Sequence, residues 1–336
     1  MRLDVFLRKK YPHITRRELL RFFRDKKILM GSRPALKGDL VTGEENFRLP
    51  PEFFQTERRL APNPKLDVKI VYEDDSIIVV SKPSGMPSVA HAYDETETLA
   101  NFLLAHCPQL VGTGPAACGS PLSRPRPVPG LRLDRGPPTG VTRSRREMFR
   151  NSPLEPGMVQ RLDTFTSGLM VAAKTAESFK NLKKQFRTRK ILKEYLALVE
   201  GVVKESGEIC HPIGTDPKNI RKVGVYEEKR GMGVQEAITQ YRPEQSFPHR
   251  TLLRVRIITG VRHQIRAHLA FLGHPVVGDT LYGSKTEASR LCLHASKLGF
   301  EHPVTGKWVE FDDSVKFPAP PPSPPPPPVS SIPQTA

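Results

Sequence analysis

The chain has 336 residues, 38% of them hydrophobic and 26% charged, which excludes an unstructured polymer and predicts a main domain with smaller attachments. Fifty-two Lys and Arg against 35 Asp and Glu give a net charge of +17, which favours a polyanionic partner, nucleic acid first, through release of counterions from phosphates. Cys107, Cys118, Cys210 and Cys292 form no C-x-x-C pair, so no disulfide framework is expected and a reducing, cytoplasmic setting fits best.

The N-terminus interleaves charges of both signs, and no apolar run approaches the roughly 18 residues of a membrane span, so neither a signal peptide nor a transmembrane helix is expected. Residues 1–48 read as a small module of helices and short strands. Thr15 and Glu18 have capping-box spacing directly before Leu19, Leu20, Phe22 and Phe23, which predicts a helix start there. Arg16, Arg17, Arg21, Arg24, Lys26 and Lys27 surround that apolar stripe with positive charge, and ILMGSRPALKGDLV predicts turns joining short strands. A Pro-containing linker occupies residues 49–66.

DVKIVYEDDSIIVVSKP predicts two strands about the acidic turn Glu73 to Asp75, followed by a helix with Leu99, Phe102 and Leu103 on one face. Residues 112–153 turn abruptly to Pro, Gly, Arg and Ser, a composition that cannot bury enough apolar surface to order itself, and read as a flexible insertion. Patterning returns at Met158: GLMVAAK predicts a buried strand, and Thr175 a cap for a helix carrying Phe179, Leu182 and Phe186 inward. EYLALVEG, TLLRVRII and the segment around WVEF add strands, and HQIRAHLAFLG adds a helix. The economical fold class for residues 67–316 is α+β, a mixed and largely antiparallel sheet with flanking helices. Residues 317–336 form a Pro-rich tail of polyproline type, expected to be disordered.

Arg-Leu-Asp occurs three times, at residues 2–4, 132–134 and 161–163, so context must choose among them. Asp4 opens the N-terminal module, where an acid in a first helical turn complements the helix dipole. Asp134 lies in the Pro/Gly-rich insertion, without a scaffold to aim it. Asp163 sits in QRLDTFTSGLMVAAK, where a polar loop enters an apolar strand directly; such a loop can hold a carboxylate at a sheet rim.

QRLDTFTSGLMVAAK, KEYLALVEG, PIGTDPKNIRK, TGVRHQIRAHLAFLGHPVVGDTLYG and LCLHASKLGFEHPVTGKWVEF, in this order and spacing, resemble the RNA pseudouridine synthases of ribosomal and transfer RNA, the large-subunit ribosomal branch in particular. The first 48 residues are similar to the RNA-binding module first named in ribosomal protein S-four. Three positions depart from the family pattern: Gln160 stands where His is frequent, and Val261 and Arg262 of Gly260-Val261-Arg262 stand where Gly-Arg-Thr is more frequent.

The resemblance implies isomerisation of uridine, with no metal or cofactor, because the reaction neither gains nor loses atoms. It makes Asp163 the catalytic carboxylate, Arg266 its charged partner, Tyr195 the ring packed on the flipped uracil, and Arg161 the side chain that helps fill the vacated space. Arg16, Arg17, Lys26 and Lys27 would supply RNA affinity. The implied partner is RNA, ribosomal before transfer; a monomer is the default expectation, since no residue pattern addresses the oligomeric state.

Other constellations are weaker. His263 and His268 are five apart and do not share a helical face as metal ligands would, and neither Cys292 with His294 nor Cys210 with His211 completes a fourfold set. A competing reading is a noncatalytic RNA-binding or ribosome-assembly protein on the same fold; a glycosidase would need a second carboxylate, which does not stand out near Asp163.

Overall fold

The computed structural model describes residues 1–11, 14–42, 46–54, 59–112, 154–228 and 233–317. The expected insertion, with Asp134, and the expected Pro-rich tail lie outside the described residues, save for one residue at the edge of each. The chain divides into two compact units. One comprises Met1–Thr164, Met170–Lys190 and Glu301–Trp308, the other Phe165–Leu169, Ile191–Phe300 and Val309–Ala336.

The first unit opens with helices α1 (Leu3–Lys10) and α2 (Arg16–Arg24). The expected capping box starts α2: Thr15 Oγ1 accepts from the Glu18 amide at 3.2 Å, and Glu18 Oε2 accepts from the Thr15 amide at 3.0 Å. Strand β1 (Leu29–Met30) pairs antiparallel with β2 (Arg33–Pro34) and β3 (Phe47–Arg48). Leu3, Leu7, Leu19, Phe22, Ile28 and Phe53 belong to one buried cluster, so the opening segment has an apolar core of its own.

Next come β4 (Lys69–Glu73) and β5 (Ile77–Lys82), antiparallel about the acidic turn. The turn is closed by Asp74, whose Oδ1 accepts from the amides of Ser76 and Ile77 at 2.7 and 2.8 Å. Helix α3 (Leu99–His106) follows, capped by Thr98 and Asn101. Strand β6 (Ser167–Ala173) is buried along its whole length. Helix α4 (Ala176–Arg187) begins at Thr175, as its sequence predicts, but its buried face is Ser178, Leu182 and Gln185, with Phe179 and Phe186 only half-buried. Gln185 is drawn inward because its amide donates to the Glu301 carbonyl at 2.7 Å and accepts from the Glu301 amide at 3.0 Å.

The second unit holds β7 (Leu192–Glu200), β8 (Gly207–Ile209), β9 (Ile213–Thr215), β10 (Val223–Val225), β11 (Thr239–Phe247), β12 (Arg250–Ile257), helix α5 (Gln264–Phe271), β13 (Leu293–Glu301) and most of β14 (Trp308–Asp312). Its sheet runs from the start of β6 through β13, β7, β12 and β11 to β8, with β14 on β13. These pairings are antiparallel where their registers are defined, except β13 on β6, which is parallel at His294–Ser167 and Ala295–Gly168. The mixed, largely antiparallel α+β fold is thus present. At the parallel contact the backbones close to a distance that only glycine permits. A Cβ on Gly168, whose φ is +110°, would lie 2.3 Å from the Ala295 carbonyl oxygen.

Candidate active site

Asp163 is half-buried in the loop that enters β6, and its neighbours on both sides are fixed by the loop that leaves β5. On one side, Ser88 Oγ donates to the Leu162 carbonyl at 2.8 Å and accepts from the Leu162 amide at 3.1 Å. On the other, the Thr164 carbonyl accepts from the Gly85 amide at 2.9 Å and from Lys82 Nζ at 3.0 Å. Lys82 is fully buried, and its ammonium also donates to the carbonyls of Pro83 at 3.0 Å and Met86 at 2.7 Å. A carboxylate on a bare loop would sample many positions; here the residues before and after it, Leu162 and Thr164, are clamped to a buried scaffold. Lys82 also places a buried positive charge against the carbonyl of Thr164, the residue after Asp163.

Arg161, on the same loop, is exposed and pairs with Glu155 at 3.3 Å. It reaches solvent while Leu162 is anchored inward.

Tyr195 and Arg266 belong to the second unit. Tyr195 is buried on β7, opposite Val255 of β12 and Ala295 of β13. Arg266 is buried on α5, and its fork is held by Asp279 through Nε to Oδ2 at 2.6 Å and an Nη2 to Oδ1 contact at 2.9 Å. The Tyr282 ring covers the guanidinium at 5.1 Å. Asp279, itself 2% exposed, also caps the turn that carries Tyr282, so the buried acid and arginine and the half-buried ring form one assembly.

The rest of the G-V-R-H-Q-I-R segment has structural partners. His263 takes a left-handed conformation at φ +55° as the helix cap and meets the Tyr282 hydroxyl at 3.0 Å. Gln264 Oε1 accepts from the Val261 amide at 3.0 Å and from the Thr259 hydroxyl at 2.8 Å, closing the turn before α5. His268 is buried between Thr239 Oγ1 at 2.8 Å and the His211 carbonyl at 2.9 Å, and burial pushes its pKa down.

Arg16, Arg17, Lys26 and Lys27 are all exposed on or just after α2. Arg17 is ion-paired with Glu95, and the adjacent Arg21 with Asp94 at 3.0 Å, so part of this basic face is already matched by acids. Sequence reasoning missed Lys82, Ser88 and Asp279. Lys82 and Ser88 lie in SKPSGMPS, where only the residue types of a turn were visible, and Asp279 is 13 residues from its partner.

One group of metal-ligating types is present among the described residues: Glu73, His106 and Cys107 offer atoms within 4.8 Å of one another. Lys174 already donates to Glu73 at 2.8 Å, and burial, then the charge of Glu73, pushes the Cys107 thiol up to about 11. The group is a charge network around Glu73, with the thiol kept protonated.

The family model described as RNA pseudouridylate synthase matches residues 76–271, which run from the turn before β5 to the last residue of α5 and include Lys82, Ser88, Asp163, Tyr195 and Arg266. The chain belongs to this family. Ribosomal large subunit pseudouridine synthase D of Neisseria meningitidis is 31% identical over 93% of this chain and 75% of the relative. An uncharacterised RNA pseudouridine synthase of Aquifex aeolicus is 33% identical over 93% of this chain and 89% of its own length. Among solved structures, human RNA pseudouridylate synthase domain containing 1 has a TM-score of 0.52 at 21% identity, covering 76% of this chain and 86% of the other, a likeness of fold. As a pseudouridine synthase the chain is an isomerase, and the clamped Asp163 loop falls within the matched span. Among the described residues no helix is long and apolar enough to cross a membrane.

Proposed function

We propose that this pseudouridine synthase acts on structured ribosomal RNA and that Asp163 is its catalytic carboxylate. The observation that carries the reading is the clamp on both peptide neighbours of Asp163 by Lys82, Gly85 and Ser88, which preorganises one acid for attack. The choice of ribosomal RNA rests on relatives named for the large ribosomal subunit, such as those of Neisseria meningitidis and Zymomonas mobilis.

In the reaction the bond from ribose to the uracil nitrogen breaks, the base turns, and ribose joins a ring carbon; that carbon loses a proton and the nitrogen gains one. The uridine must first leave its stack, at a cost of a few kcal/mol that pocket contacts offset. Asp163 supplies the nucleophilic carboxylate. Tyr195 packs on the uracil, Arg266 supplies fixed positive charge, and Arg161 helps fill the space left in the RNA. Arg16, Arg17, Lys26 and Lys27 add affinity for phosphates. On this reading the chain works as a monomer in the cytoplasm and needs no cofactor.

The test is expression of the parent and of Asp163→Asn in cells lacking related synthases, with pseudouridines mapped across total RNA by carbodiimide-dependent reverse-transcription stops. A ribosomal site made by the parent and absent with a stable, RNA-binding variant is expected. If both proteins bind RNA and neither makes a site, the noncatalytic RNA-binding reading replaces this one.

A further inference from the structure

The hairpin of β9 and β10 has a tip, Asp216–Lys222, that the chemistry above leaves without a task. Ile220 stands at this tip with 78% of its surface exposed, an apolar branched side chain held in water. A single exposed isoleucine is ordinary by itself. Its setting is not.

The tip is rigid. Asp216 Oδ1 accepts from the amides of Lys218 and Asn219 at 2.8 and 3.2 Å, and Asn219 Oδ1 accepts from the Arg221 amide at 3.0 Å. Arg262, in the turn ahead of α5, donates to the Ile220 carbonyl at 3.4 Å and also to the Arg221 carbonyl. At the hairpin base, the Tyr282 hydroxyl accepts from the Val223 amide at 2.9 Å, and Lys222 Nζ lies 5.6 Å from the Tyr282 ring. The same ring covers Arg266, so the tip is fixed to the assembly around that arginine.

The tip is also positive. Lys218, Arg221 and Lys222 flank Ile220 along the chain, Arg262 reaches its carbonyl, and the one acid of the tip, Asp216, is engaged by backbone amides. A rigid apolar point flanked by cations fits a strand whose backbone is anionic and whose interior is made of stacked apolar faces. Phosphates meet the cations, and the branched side chain enters between bases.

We propose that the Asp216–Lys222 hairpin is an RNA-docking element whose Ile220 wedges between bases of the substrate RNA. This rests on the pseudouridine synthase reading of the chain. A rigid hairpin loses little conformational entropy on binding, which is why a fixed wedge is more effective than a mobile one.

The test uses the full chain and a folded large-subunit ribosomal RNA transcript. The site that the parent modifies is mapped first; a parent that modifies none overturns the functional reading, and this inference with it. With p-benzoylphenylalanine installed at position 220, irradiation is expected to crosslink the ribosomal RNA. Ile220→Ser is expected to lower kcat/KM at that uridine at least tenfold, while Ile220→Met, which keeps an apolar wedge, stays within about threefold of the parent. The exposed position makes unfolding by either change an implausible cause of loss, and matching melting temperatures check that. No crosslink, or an Ile220→Ser enzyme within twofold of the parent, overturns the wedge while leaving the activity standing.

Discussion

Ser88 holds Leu162 by both ends of its peptide backbone: the serine hydroxyl donates to the Leu162 carbonyl at 2.8 Å and accepts from the Leu162 amide at 3.1 Å. Leu162 is buried and Asp163 follows it, so one hydroxyl governs how closely the acid keeps its place. Ser88→Ala would leave two buried backbone groups unpaired, a loss of about 1–3 kcal/mol in stability. The expected kinetic result is a fall in kcat of about tenfold with KM little changed, since the loosened loop misplaces the acid without touching distant RNA contacts. Steady-state kinetics beside a urea titration check both halves of this expectation.

Arg266 and Asp279 share a two-point ion pair, both side chains being at most 9% exposed. Asp279→Leu removes one partner and strands the other charge, so unfolding free energy should fall by about 3–5 kcal/mol. Replacing both, as Arg266→Met with Asp279→Leu, should restore much of that stability but not activity. Chemical denaturation of the single and double variants measures the difference.

Gly168 occupies the parallel contact between β6 and β13, where a Cβ would lie 2.3 Å from the Ala295 carbonyl oxygen and 2.6 Å from its amide nitrogen. Gly168→Ala should therefore cost about 3 kcal/mol or more, from overpacking against backbone and from a side chain at positive φ. Circular dichroism melting tests this, and a melting temperature unchanged from the parent would show that the strands can part without loss.

The sequence and the structure agree most where a signal is local. Thr15 with Glu18, Thr175 before α4, and the acidic turn between β4 and β5 each act within a few residues, and each stands where its spacing predicts. Strand β13 was illegible because it is buried on both faces and so lacks alternation, and β11 because its residues are mostly exposed and its place is set by pairing with β12. For the site, the loop before β6 allowed a carboxylate at Asp163 and the family resemblance singled it out, whereas the grip of Ser88 on Leu162 spans 74 residues and that of Lys82 on Thr164 spans 82. No periodicity carries contacts at that separation. The insertion expected at residues 112–153 lies, save for its first residue, outside the described residues.

Asp74 makes stability sensitive to acid. Burial pushes its carboxyl up, but the amides of Ile77 and Ser76, the Ser76 hydroxyl and His302 together hold it well below the usual carboxylate range. A carboxyl lowered in the folded state contributes stability that is fully present above its unfolded value, about 4, and is lost as pH falls through the folded one. Urea midpoints of the parent should therefore drop between about pH 5 and pH 2, and Asp74→Asn should start lower at pH 7 and drop less over that window. Equal slopes in the two proteins would assign the acid sensitivity to other groups.

The most direct measurement of the central claim is single-turnover pseudouridine formation by the parent and by Asp163→Asn on the same folded ribosomal RNA, quantified by nucleoside chromatography with RNA affinity and melting temperature measured alongside. With Asp163 as the catalytic carboxylate, the variant binds and melts as the parent does but forms pseudouridine at least about a thousandfold more slowly. A variant within about tenfold of the parent would contradict the account and move the chemistry to another residue.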